Sequence, residues 1–246
     1  MFIQDNFSEM HLLFSEPVAC SLYMDQTQTV LLAKFTIVLP TVADLYFNTN
    51  VMFLLGILKK TTQELKDMLK INTETLSHLN FINFIQKAAQ RPETNLTAFL
   101  SKIIEGFTFL CPNAEFKDDK IFVKGRECTD ELFERMKEIW LVSIGAKNYS
   151  NISSYMTPEQ RALEEKIQAI KNRGKKDQGS DNFEKIYIIL TYEFNYTREE
   201  ILKMTMYAIQ RILKYTSKSI NYKLTLLAKA NGNAKKVQFI ADNKGE

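Results

Sequence analysis

Three threonine-led helix starts constrain this chain more than any other feature. Thr61 is followed three residues on by Glu64, and Thr197 by Glu200. Thr157 is followed by Gln160, with Pro158 at the first helical position. In this pattern the threonine hydroxyl accepts from a backbone N–H one turn ahead, and the acid or amide reaches back to the cap's own N–H. Two donors that a helix start leaves without partners are thereby satisfied. Thr41 after Pro40 and Thr129 before Asp130 and Glu131 are further caps, the two acids lying where the helix dipole favours negative charge. With 8 glycines and 5 prolines in 246 residues, tight turns are scarce. The expected fold is mainly α with small β-hairpins, an α+β class.

Two hairpins are expected. "VACSLYM" (Val18 to Met24) and "TVLLAKFTIVL" (Thr29 to Leu39) are β-branched and apolar, with "DQTQ" as the turn between them. "AEFKDDKIFVKG" reads as a second hairpin turning at Asp118 and Asp119, with Gly125 free to take a positive φ at the next corner. Thr41 then leads one helix through "VADLYFNTNVMFLLGILKK". Further helices cover "TTQELKDMLKI", "TETLSHLNFINFIQKAAQ" (dense in Leu76, Leu79, Phe81, Ile82, Phe84 and Ile85) and "LTAFLSKIIEGFTFL". After Thr129, the residues Leu132, Phe133, Met136, Ile139 and Trp140 recur at helical spacing and dock the second hairpin. The most apolar run, "VMFLLGIL", is far shorter than the roughly 20 residues of a membrane helix and reads as a buried helix.

The chain divides into a mixed N-terminal domain (residues 1–150), a charged helical linker (151–181) and a basic helical C-terminal module (182–246). The polar "NRGKKDQGSD" marks the main break. In the C-terminal module "NFEKIYIILTYEF" reads as a helix, with a strand as the alternative because "IYIIL" is β-prone; "REEILKMTMYAIQRILKY" is expected as a second helix and "SKSINYKLTLLAKANG" as a third, before a short edge strand at "KKVQFIADN". Net charge is +3, unevenly spread: Asn195 to Lys236 holds nine basic residues against Glu199 and Glu200. A solvated helical face, a nucleic-acid surface or an acidic-partner surface each account for that excess.

Little points to chemistry. His11 and His78 lie far apart, and His78 sits among apolar helix residues as a structural histidine. Asp118 and Asp119 read as turn formers rather than cation ligands. Cys20, Cys111 and Cys128 are odd in number, lack metal-type spacing and suit a reducing compartment. No glycine-rich phosphate loop occurs. The expectation is a non-enzyme with no catalytic, cofactor-binding or metal-binding residue, no signal peptide and no membrane partner.

One constellation has a physical rationale for binding. Tyr207, Arg211, Lys214, Lys218 and Tyr222 are spaced four, three, four and four residues apart, so an unbroken helix places them on one face. Ile201, Thr205, Ala208 and Ile212 form the opposite stripe, toward a core. Tyr196 joins the basic and aromatic residues as a candidate contact, as do the aromatics Tyr192 and Phe194. Arginines and lysines with tyrosines can grip phosphates and stack on bases, which makes nucleic acid an alternative ligand. Glu199 and Glu200 at the start of the helix oppose that reading.

The order of units, together with "KGRECTDELFERMKEI", "RALEEKIQAIKNRGKK" and "EEILKMTMYAIQRIL", resembles tail assembly chaperone or baseplate hub assembly proteins of large contractile-tailed bacteriophages. The resemblance spans Val38 to Gly232, and the Lys-, Asn- and Ile-rich composition agrees with an AT-rich phage genome. It implies a non-enzymatic late protein of virion morphogenesis, acting in the host cell cytoplasm or retained in the tail or baseplate. Its partners would be tail, hub or tape-measure proteins, with homo-oligomerisation compatible with the role. A phage-encoded adaptor that binds host proteins is a further alternative.

Overall fold

The computed structural model describes residues 2–24, 31–69, 77–89, 96–147 and 179–230. Among the described residues the chain is mainly helical, with two three-stranded antiparallel sheets. The segment expected as a charged linker, with its Thr157 cap, lies outside the described residues except at its last residues. So do the "DQTQ" turn, Leu76 and the expected C-terminal edge strand.

The first hairpin forms as β2 (Val18–Tyr23) and β3 (Leu31–Ile37), and β1 (Phe2–Asp5) adds a third strand along the free edge of β2. Val18, Cys20 and Leu22 alternate inward, and Cys20 stands opposite Phe35 and Val18 opposite Ile37. Inward residues of both strands therefore meet on one face. Helix α1 (Glu9–Phe14) lies between β1 and β2 in sequence.

The single helix expected after Thr41 is two. Helix α2 (Val42–Phe47) starts from a capping box, Thr41 with Asp44, and α3 (Thr49–Leu58) restarts from Asn48. Asn48 has an extended backbone; its side chain accepts from the Asn50 and Val51 N–H groups while its own N–H still closes α2. An asparagine serves both ends because its carbonyl oxygen competes well for helix N–H donors. Helices α4 (Thr62–Leu69), α5 (His78–Ala89) and α6 (Thr97–Leu110) follow, and the Thr61–Glu64 box forms. Gly106 lets α6 approach α3 closely, since a Cβ there would stand 2.5 Å from the Asn50 carbonyl oxygen.

The second hairpin has three strands, β4 (Ala114–Lys117), β5 (Lys120–Val123) and the two-residue β6 (Arg126–Glu127). Both corners carry two successive positive-φ residues, Asp118 with Asp119 and Lys124 with Gly125. That is the backbone of the mirror-image turns whose twist suits a hairpin. Thr129 then caps α7 (Asp130–Ser143), its Oγ1 accepting from the Leu132 N–H at 3.3 Å.

Helix α7 runs through the main core. Leu132, Phe133, Met136, Ile139 and Trp140 are all buried. The Phe107 ring stacks on Phe133 at 5.8 Å and meets Phe116 and Trp140 edge-on, arrangements that aromatic quadrupoles favour. The Trp140 indole donates to the Val38 carbonyl, and the Val38 N–H donates to Leu110. One segment thus ties the first sheet, α6 and α7 together. Of the apolar residues expected inside α5, Leu79, Phe81, Ile82 and Ile85 are buried, but Phe84 is 43% exposed.

The C-terminal module comprises α8 (Gly179–Phe194), α9 (Arg198–Lys203) and α10 (Met206–Ala230). Two helix boundaries differ from expectation. The helix begun at Thr197 breaks at Met204, which is extended, and α10 then continues through the region expected to be a separate third helix. The break has a local cause: Thr205 Oγ1 accepts from the Ala208 N–H at 3.1 Å, as an N-cap does. At 25 residues, α10 is about 37 Å long. A second, smaller core of Val42, Leu190, Ile201 and Ile209 joins the module to the start of α2. Three hydrogen bonds fasten it further: Thr205 Oγ1 to the Leu12 carbonyl, Ser15 Oγ to the Lys203 carbonyl, and the Val42 N–H to the Met204 carbonyl.

Candidate partner-binding face

The unbroken α10 satisfies the condition for a shared basic and aromatic face, but its residues are not equally available. Lys214 and Lys218 are exposed, and Tyr215 beside them is 60% exposed. Tyr207 is only 8% exposed, its ring against the main core. Tyr222 lies on the same helix. Tyr196 is half-buried against the second core, its ring 6.3 Å from Phe194. On the opposite stripe Thr205 and Ala208 are buried as expected, while Ile201 belongs to α9 and Ile212 is half-buried.

Arg211 has an internal partner. Its Nη2 lies 2.6 Å from Glu9 Oε1, and the Tyr207 hydroxyl donates to the same oxygen at 2.8 Å. The guanidinium stands 5.0 Å from the Tyr215 ring centre and 5.9 Å from that of Tyr207, within cation–π range. Arg211 Nε is buried with no hydrogen-bond acceptor. Helix α1 therefore supplies an acid to the ridge. No local pattern announces that pairing, which joins residues 198 positions apart in the Tyr207–Glu9 case.

Helix α8 contributes an apolar surface. Its inner face carries Leu190, fully buried, with Ile186, Tyr187 and Phe194 packed beside it. On its outer face Ile188, Ile189 and Tyr192 are 45%, 39% and 79% exposed. Here one side lies open, and Tyr192 is the sequence-selected aromatic that the structure places there.

Several other titratable groups are paired or buried within the fold. His78 Nδ1 accepts from the Lys137 ammonium and its Nε2–H donates to the Lys60 carbonyl, each at 3.0 Å. That pattern requires the neutral ring, and burial together with the Lys137 charge pushes its pKa down to about 4. Lys137 also pairs with Glu134 at 2.9 Å. Asp5 holds Arg135 through two hydrogen bonds, pinning β1 to α7. Cys20, Cys111 and Cys128 are buried, and burial raises all three thiol pKa values, that of Cys111 to about 11. Thiols so held are poor nucleophiles. Among the described residues no cluster of three or more metal-ligating side chains forms. No described helix is long and apolar enough to cross a membrane.

The chain matches no family model, no curated protein and no solved structure. What the face can do follows from its own chemistry: an apolar strip on α8 and a cationic, aromatic ridge on α10, both carried by a module fastened to a well-packed frame.

Proposed function

We propose that the chain is a non-enzymatic assembly protein of a phage tail or baseplate, acting by protein–protein contact in the host cell cytoplasm or within the virion. The observation that carries the protein-binding reading is the outer face of α8, where Ile188, Ile189 and Tyr192 stand in solvent on a helix already packed on its other side. Burying such side chains against a partner removes apolar area from water at about 25 cal/mol per Å². A tyrosine in such a strip is also a frequent hot spot. The phage context comes from the resemblance in the order of units and in the three sequence stretches quoted above.

The test is a tagged pull-down from producing cells, washed at low and at high salt, with mass spectrometry of what remains. Tail, hub or tape-measure proteins retained at high salt are the expected result, because apolar burial does not weaken with ionic strength. Nucleic acid that leaves with salt, without a structural protein, contradicts the proposal. Exposed Lys214 and Lys218 beside Tyr215 favour that second, nucleic-acid reading. Against it stand the internal pairing of Arg211 and the buried ring of Tyr207.

A further inference from the structure

We propose that the α10 ridge around Arg211 receives an acidic segment of a protein partner, and that Glu9 is a built-in competitor for that site. The inference rests on the protein-binding reading above and adds the chemistry and the control of the contact. The evidence for the ligand class is the group already seated there. One carboxylate oxygen, Glu9 Oε1, takes hydrogen bonds from the Arg211 guanidinium and the Tyr207 hydroxyl together. A planar cation, flanked by ring faces and joined by a phenol donor, is a carboxylate receptor.

Glu9 satisfies that receptor only in part. Arg211 Nε has no acceptor, and Lys214 and Lys218 continue the cationic face one and two turns further along α10 with no ion pair among the described residues. A peptide carrying several acids engages all three cations, which one internal glutamate cannot do. Nucleic acid suits the ridge less well, because the Tyr207 ring is enclosed and Tyr215 is left as the exposed ring beside Arg211. Base stacking needs such exposed ring faces.

The competitor can leave without disturbing the fold. Helix α1 is anchored by the fully buried Leu12 side chain and by the Thr205 hydroxyl on the Leu12 carbonyl. The Glu9 side chain, at the first position of that helix, is 34% exposed, as Arg211 is 30% exposed. Rotation of one side chain opens the receptor while α1 stays docked. The cost of opening is that of a half-exposed ion pair and one hydrogen bond, small enough for a multivalent acidic segment to overcome.

Fluorescence anisotropy on the full chain tests this with two labelled probes, an oligoglutamate peptide and a short oligothymidylate. Glu9→Gln should bind the peptide about three- to tenfold more tightly than wild type, the scale of losing one such internal competitor. Arg211→Gln should bind it most weakly, and Lys214→Gln with Lys218→Gln should fall between Arg211→Gln and wild type. Glu9→Asp, which keeps the charge but shortens its reach, should give a smaller gain than Glu9→Gln and serves as the measurement if Glu9→Gln does not fold. Peptide affinity unchanged or weakened by the Glu9 substitutions overturns the inference, as does an equal or larger gain for the oligonucleotide. Tail-protein capture that persists alongside either result would leave the assembly reading standing. Intact Glu9 control with no tail-protein capture would remove the assembly reading alone.

Discussion

The core around Trp140 and the core beneath α8 are closed in different ways. The first draws buried side chains from both sheets and from α3, α5, α6 and α7, with Phe81, Phe107, Phe133 and Trp140 fully buried. The second has Val42, Leu190, Ile201 and Ile209 at its centre and half-buried residues around them, including Tyr187, Phe194 and Tyr196. Beyond that rim α8 still offers Ile188, Ile189 and Tyr192 to solvent. Dense enclosure yields rigidity, because each buried side chain touches partners on every side. A shallow core yields a held but open surface. The frame and the face are therefore separable, and substitutions can load one while sparing the other.

The largest effect should come from the frame. Trp140→Ala removes a fully buried indole together with its hydrogen bond to Val38, and should lower unfolding free energy by about 3–5 kcal/mol in denaturant titration. A loss confined to the second core would break the comparison. Next is a dependence on pH set by His78. Its folded pKa, about 4, lies below the model-peptide value of 6.5. The unfolded state thus binds more protons between these values, and stability is full above 6.5 and lost as pH falls toward 4. Between pH 7 and pH 5 the loss should be about 2 kcal/mol, and His78→Gln should flatten that slope. A more local effect belongs to the junction. Thr205→Val leaves the Leu12 carbonyl and the Ala208 N–H without the hydroxyl they share, at a cost of about 1–3 kcal/mol. Hydrogen exchange should accelerate in the first turn of α10 and leave the amides around Trp140 protected.

Much of the frame was legible because its signals are local. Thr61, Thr129 and Thr197 cap as their sequences require, and the spacing of Leu132, Phe133, Met136, Ile139 and Trp140 gave the buried face of α7. Asp118 and Asp119 turn the second hairpin at the expected place. Helix breaks were harder to read, because Asn48 and Thr205 interrupt apolar patterns that by themselves run on. Strand β1 was missed because "FIQD" is short and gains its place only by pairing with β2. The site was legible in part. The spacing from Tyr207 to Tyr222 put those residues along one helix, and Tyr192 was singled out as an aromatic. The burial of Tyr207 and the seat of Glu9 on Arg211 depend on the docking of α1 to α10, a long-range contact that no local periodicity encodes.

The most direct test of the separation between frame and face is the double substitution Ile188→Asp with Tyr192→Asp, followed by denaturant unfolding and the tail-protein pull-down on the same preparation. Tyr192 is 79% exposed and Ile188 45% exposed, so stability should stay within about 1 kcal/mol of wild type per site while partner capture is lost. A collapse of stability would mean that this face is part of the core. Full capture by a stable variant would mean that partners bind elsewhere. Either result contradicts the account.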